Sequence, residues 1–172
     1  MKIDHIAIWV RDLEKIRIFY ETYFGAKSND IYFNRRHEFS SNFLTFDDGT
    51  RLELMQMPSI PESSNNPYKQ FIGFIHLAIS VGSKEEVITL TNRLANDGYE
   101  VLDGPRYTGD GYFESTILDP EKNRIEITVW SHIFFINREI IVISGTGRGT
   151  DTICLIKPAP IREFKNHELK LY

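Results

Sequence analysis

His5-Ile6-Ala7-Ile8-Trp9-Val10 and His76-Leu77-Ala78-Ile79-Ser80-Val81 are two versions of one phrase. Each is answered, at nearly the same distance along the chain, by a second phrase. Arg51-Leu52-Glu53-Leu54 answers the first, and Arg124-Ile125-Glu126-Ile127 the second. All four alternate with the two-residue period of a half-buried strand. A histidine and a glutamate therefore recur in the same order, in the same kind of element, in two halves of one chain.

Working outward, residues 2–10 read as a strand, and Asp12 as the cap of a helix. That helix carries Leu13, Ile16, Tyr20, Tyr23 and Phe24 at helical spacing and is closed by Gly25. The aromatic stretch from Asp30 to Phe46 predicts two strands, Phe39–Phe46 the clearer. Asp48-Gly49 is a hairpin turn signal that feeds Arg51–Met57. Residues 58–70, with Pro58, Pro61, Ser63, Ser64, Asn65, Asn66 and Pro67, read as a linker. The order then begins again: a strand over Phe74–Val81, then a helix opened by Ser83 and Glu86 as a capping box and closed by Gly98. A short strand over Tyr99–Leu102, a loop from Gly104 to Gly111, a strand over Tyr112–Leu118, a turn over 119–123 and a last strand over Arg124–Trp130 complete it. The expected fold is α+β, two βαβββ modules at 1–57 and 71–130, followed by an extension over 131–172. In that extension Ile133–Ile136 and Ile140–Ile143 suggest a hairpin. Gly145-Thr146-Gly147-Arg148-Gly149 reads as flexible, lacking the lysine and Ser/Thr of a phosphate loop.

Composition narrows the function. Of 172 residues, 41% are hydrophobic and 26% charged, as in a globular protein. A net charge of −4, with no basic stripe, speaks against nucleic acid as a partner. Cys154 is the single cysteine, which leaves no internal disulfide and no cysteine-rich zinc site. Asp4, Arg11, Asp12 and Glu14 interrupt the N-terminal apolar residues, and no apolar run approaches the ~20 residues of a membrane helix. A cytoplasmic protein without a membrane partner is expected.

Residues two apart in a strand share a face, so His5, Ala7 and Trp9 lie together, as do Arg51, Glu53, Met55 and Met57. The same holds for His76, Ala78 and Ser80, and for Arg124, Glu126 and Thr128. A lone strand histidine is ordinarily a hydrogen-bonded core residue, and a lone strand glutamate is ordinarily solvated. Here Leu52, Leu54, Ile125 and Ile127 need burial under the helices, which turns both glutamates to the other face. If two curved sheets share a cavity, that cavity receives two imidazoles and two carboxylates. Buried carboxylates call for a compensating cation, and His5, Glu53, His76 and Glu126 are a donor set for zinc, nickel, manganese or iron(II).

With His-x-Ala-Ile at both strand starts, Phe19-Tyr20 in the first helix, Phe24-Gly25 after it and Asp119-Pro120 before Arg124-Ile-Glu126-Ile, residues 2–130 resemble the vicinal oxygen chelate superfamily, which includes glyoxalase I. The resemblance implies two βαβββ modules curved around a divalent metal held by His5, Glu53, His76 and Glu126. It also implies a homodimer acting on a small molecule. The implied activity is that of a lyase or isomerase. A hemithioacetal or related carbonyl compound would lose a carbon-bound proton to Glu126, pass through an enediolate and regain the proton on the neighbouring carbon. Glu53 would be a ligand or the opposing acid/base. Thiol transfer, dioxygenation, or ligand sequestration without turnover are alternatives on the same scaffold. Two positions depart from glyoxalase I: Trp9 stands where an arginine holds the glutathione carboxylate, and Met57 where a polar asparagine is found. Arg51 and Arg124 are read as ion-pair partners beside the glutamates or as anion binders. Tyr107, Asp110, Tyr112 and Glu114 are read as loop and ordinary strand residues, and His37, His132 and His167 as surface or tail.

Overall fold

A computed structural model describes residues 1–131 and the backbone of 133–136, 139–146 and 150–156. The first module begins with β1 (Ile6–Trp9) and α1 (Leu13–Phe24). Asp12 caps α1 by accepting from the Lys15 amide, and Gly25 ends it in the left-handed region at φ 66°. After β2 (Lys27–Ser28) and β3 (Tyr32–Asn34) come β4 (Phe39–Thr45) and β5 (Arg51–Gln56). The sheet order is β1-β5-β4-β2, with β3 also paired to β4. β2 and β3 thus behave as one strand interrupted at Asn29, whose side-chain oxygen accepts from the Phe43 amide at 2.7 Å.

The second module repeats this with β6 (Leu77–Ser80), α2 (Lys84–Asn96), β7 (Val101–Tyr107), β8 (Tyr112–Leu118) and β9 (Arg124–Trp130), in the order β6-β9-β8-β7. Ser83 caps α2 by accepting from the Glu86 amide. In both sheets the first and last strands of the module run parallel and adjacent, and the other pairs are antiparallel.

Both helices and the helix-covered faces of both sheets join one hydrophobic core, containing Ile16, Phe19, Tyr20, Leu44, Leu52 and Leu54 with Val87, Leu94, Ile117, Ile125 and Ile127. The modules meet where α1 packs on the end of α2 and the start of β7. Phe19 lies 4.9 Å from Tyr99 between ring centroids, and Tyr23 donates its hydroxyl to Asp97 at 2.6 Å. The turn before β9 adds a second tie: the Glu121 carboxylate accepts from the Arg11 and Asp12 amides at 2.8–2.9 Å, at the entrance to α1.

One expectation needs correction. Gly104–Tyr107 is not part of a loop; β7 continues through Gly104-Pro105 to Tyr107, and the connection is confined to residues 108–111. Glycine and proline mark a bulge here, with register shifts around Asp103 and Arg106 that bring Arg106 opposite Glu114. Gly104 has φ 81°, and a Cβ there would lie 2.5 Å from the Glu114 carbonyl oxygen.

Beyond the repeat, β10 (Ile133–Ile136), β11 (Glu139–Thr146) and β12 (Thr150–Ile156) form a three-stranded antiparallel sheet. The expected hairpin is there, gains a third strand, and extends through Gly145-Thr146. Gly147–Gly149, His132 and His167 lie outside the described residues. No helix among the described residues is long and apolar enough to cross a membrane.

Candidate metal centre

Parallel pairing of β1 with β5 sets Ala7 opposite Glu53, and parallel pairing of β6 with β9 sets Ala78 opposite Glu126. Each histidine immediately precedes its strand, on the face of that alanine. The alanine methyl leaves room for the imidazole to lean over the neighbouring strand. His5 Nε2 comes to 3.5 Å from a Glu53 carboxylate oxygen, and His76 Nε2 to 3.6 Å from one of Glu126. Side-chain exposures match closely, 36% and 16% in the first pair against 38% and 17% in the second. Two ligands of one tetrahedral ion, each bound at ~2.0–2.1 Å, stand ~3.4 Å apart. Both pairs have the chemistry and spacing of half a coordination set.

The four side chains are not gathered together within the chain. Among the described residues no group of three or more His, Cys, Asp or Glu side chains is placed to hold one ion. The structure unites His5 with Glu53 and His76 with Glu126, on open sheet faces that lie opposite the shared core.

Around the first pair, Asp4 accepts from His5 Nδ1 at 2.9 Å and so orients the ring with Nε2 toward Glu53. Asp4 is itself paired with Arg51, and both partners hold its carboxyl below the usual range, the His5 hydrogen bond more strongly. The Arg51 guanidinium also lies 4.9 Å over the Phe43 ring, whose edge meets His5. Arg51 therefore pairs with Asp4 rather than Glu53, while Arg124 donates Nε to the Pro67 carbonyl at 2.8 Å. Arg51 is thus ion-paired, whereas the partner of Arg124 is a neutral carbonyl. The Arg51 and Asp4 contacts are reached only through the fold, because their pairing crosses from the segment before β1 to β5.

Trp9, Phe43 and Met55 dominate the rest of the first open face, with Ser41 among them. Trp9 packs edge-on against Phe39. At its end an open cleft of roughly 630 Å³ runs from Trp9 and Phe33 past Met57 to Ile60 of the linker. Arg11, at its edge, is bound to Glu62 at 2.5 Å.

The second open face is polar, and Glu114 belongs to it. Glu114 is opposite Thr128, one row from Glu126, and its side chain is 12% exposed. Burial chiefly, then the Glu126 charge, pushes its carboxyl up, and Arg106 at 3.2 Å opposes the shift. Strand alternation with Glu126 and Thr128 places Glu114 here, a signal visible in the sequence once β8 and β9 are paired. Tyr112 also lies on this face, edge-on to Trp130 at 4.8 Å.

Comparison with known proteins agrees with the two-module fold. The family model described as Glyoxalase/Bleomycin resistance protein/Dioxygenase superfamily matches residues 2–127. The uncharacterized protein YqjT of Bacillus subtilis (strain 168) is 28% identical over 126 residues, 72% of this chain and 94% of that protein. Among solved structures, a glyoxylase/bleomycin resistance protein/dioxygenase domain from Frankia sp. EAN1pec superposes with a TM-score of 0.63 at 18% identity, covering 76% of this chain and 98% of that one. The trypanothione-dependent glyoxalase I of Leishmania major gives 0.59 at 22% identity, covering 74% and 85%. The fosfomycin resistance protein FosX of Listeria monocytogenes, crystallised with Mn(II) and sulfate, gives 0.56 at 20% identity, covering 74% and 91%.

Proposed function

The chain belongs to the glyoxalase/bleomycin resistance protein/dioxygenase superfamily, and from that premise we propose that it is a metal-dependent lyase or isomerase of small carbonyl compounds, working as a homodimer. The observation that carries the reading is the pair of matched His–Glu contacts, 3.5 Å and 3.6 Å, each half of a donor set and each on an open face. His5 and Glu53 of one subunit, with His76 and Glu126 of a second copy, would hold zinc, nickel, manganese or iron(II). The ion, when bound, supplies Lewis-acid polarisation of substrate oxygens.

The chain's own residues do the rest. Asp4 orients the His5 ring, which makes the first pair the more fixed of the two. Glu126, on the polar face, takes the proton from one substrate carbon and returns it to the next, with Glu53 as ligand or opposing acid. Trp9, Met57 and the engaged Arg11 make the first face a poor match for the carboxylates of glutathione, so the thiol or carbonyl partner is a different one. A sequestering module is the second reading, favoured by the open cleft at Trp9, whose lining mixes Phe33, Met57 and Ile60 with polar side chains.

Elemental analysis of native-purified protein separates the two. Stoichiometric divalent metal supports the enzyme, whereas metal that stays far below stoichiometry after adding nickel, zinc or manganese supports the sequestering module. An ultraviolet assay with methylglyoxal and a panel of thiols then reads turnover. Mixing His5→Ala and Glu126→Ala chains tests sharing: regained activity means that each site draws on two subunits.

A further inference from the structure

β10, β11 and β12 form a sheet of their own, beyond the span matched by the family model, which ends at residue 127. Ile133–Ile136, Ile140–Ile143 and Ile153–Ile156 are unbroken apolar runs, Cys154 included. Register sets Phe134, Ile141 and Leu155 in one cross-strand row, and Ile133, Val142 and Cys154 in the next. Adjacent rows belong to opposite faces, so both faces carry apolar residues across all three strands. A sheet with one solvated face alternates apolar and polar residues, as β9 does over Arg124–Thr128. The extension is therefore written for cover on both sides. The modules do not supply it: among the described residues these strands pack on one another, and none makes a substantial contact with either module.

We infer that the β10–β12 sheet is a clasp that packs on a second copy of the chain, at the rim of the contact between open faces. The inference rests on the shared-site dimer proposed above and adds to it the surface that tightens the pair. Reach points to this occupant. β10 starts three residues beyond Trp130, a span of at most ~11 Å. Trp130 alternates with Glu126 and Thr128 and pairs with Tyr112, so the sheet stands at the edge of the face assigned to the second subunit. Area points the same way. Strands of 4, 8 and 7 residues, spaced ~4.8 Å apart, present roughly 300 Å² per face. A stable interface uses ~800 Å² per partner, so the sheet is too small to hold two copies by itself. As an annex to a larger contact it gains its cover and enlarges that contact. A bilayer is a poor alternative, because an open sheet leaves unpaired backbone along β10 and β12.

The test uses the full-length chain. Sedimentation velocity gives the dimer dissociation constant, and Cys154, the single cysteine, reports on the sheet through its rate of reaction with an aromatic disulfide reagent. Ile141→Lys and Val142→Lys change opposite faces of the central strand. We expect the variant on the face that meets the partner to weaken the dimer at least about tenfold. The melting transition of the modules should stay in place, because their shared core is built from residues 8–129. In the unaltered chain, dilution through the dimer–monomer transition should speed the Cys154 reaction, which provides the answer if either variant folds poorly. A full-length chain that is monomeric throughout removes the proposed dimer and the clasp together. A dimer whose affinity neither variant changes, with one Cys154 rate in dimer and monomer, leaves the dimer standing and overturns the clasp alone. Species larger than a dimer that the variants abolish would put the contact between sheets of different dimers, and overturn it as well.

Discussion

The two modules share one geometry and differ in almost everything around it. The His–Glu separations are 3.5 Å and 3.6 Å and the exposures match. Yet Trp9 corresponds to Ser80, Phe43 to Thr116, Met55 to Thr128 and Ser41 to Glu114 in the paired strands. Asp4, which orients the first histidine, is answered by Ile75. A duplicated frame has kept its His–Glu positions while Trp9, Phe43 and Met55 on one face are answered by Ser80, Thr116 and Thr128 on the other. On the function proposed above, metal chemistry would follow what the halves share, and substrate choice what they do not.

The comparison can be broken most sharply at the glutamates. Glu126→Gln should lower kcat by ~10²–10⁴-fold when rates are taken per bound metal ion, as loss of a general base does. The corresponding Glu53→Gln should show chiefly as metal loss in elemental analysis. Equal kinetic losses with equal metal would make the halves functionally interchangeable.

Next comes Gly104→Ala, at the bulge in β7. A left-handed backbone and a Cβ 2.5 Å from the Glu114 carbonyl oxygen should together cost about 2–4 kcal/mol in denaturant unfolding. A smaller third effect belongs to the first module alone: Asp4→Asn should weaken metal affinity by ~10–100-fold, measured by competition with a chelator.

The smallest concerns the contact joining the halves. Burial first, and then the hydrogen bond to Asp97, push the Tyr23 phenol up to about 12 from its ordinary 10.0. Folding favours the neutral phenol. Its stabilising contribution is therefore complete below the unfolded pKa and is lost as pH rises through the folded one. Wild-type stability should fall over that alkaline window by more than that of Tyr23→Phe, as followed by urea denaturation.

The repeat was legible because its signals are local: period-two alternation, capping residues at Asp12 and Ser83, and Gly25 and Gly98 after the helices. The ligand-type residues stood out because the leucines and isoleucines beside Glu53 and Glu126 demanded the other face. Three things were hidden. The course of β7 was hidden because Gly104-Pro105 carries the same signature in a bulge as in a loop, and only pairing with β8 distinguishes them. Glu114 was hidden for a related reason: a carboxylate in a strand has no direction until its neighbours are known. The distribution of the four donors between two separate faces of one chain was likewise beyond reach, since helix packing across the core, rather than any motif, decides it.

Glu121 has a consequence for how such a chain can change. Its carboxylate, from the second half, occupies the amides that open the first half's helix, while the matching turn in the first half, at Asp48, bonds only its own Thr50. The ancestry implied by the repeat is two equal units, but this tie runs one way. Cut apart, both halves would lose the core they share, while only the first would also lose a carboxylate from the Arg11 and Asp12 amides that lead into its Asp12-capped helix. The half with the anchored histidine thus leans on the other at one more point.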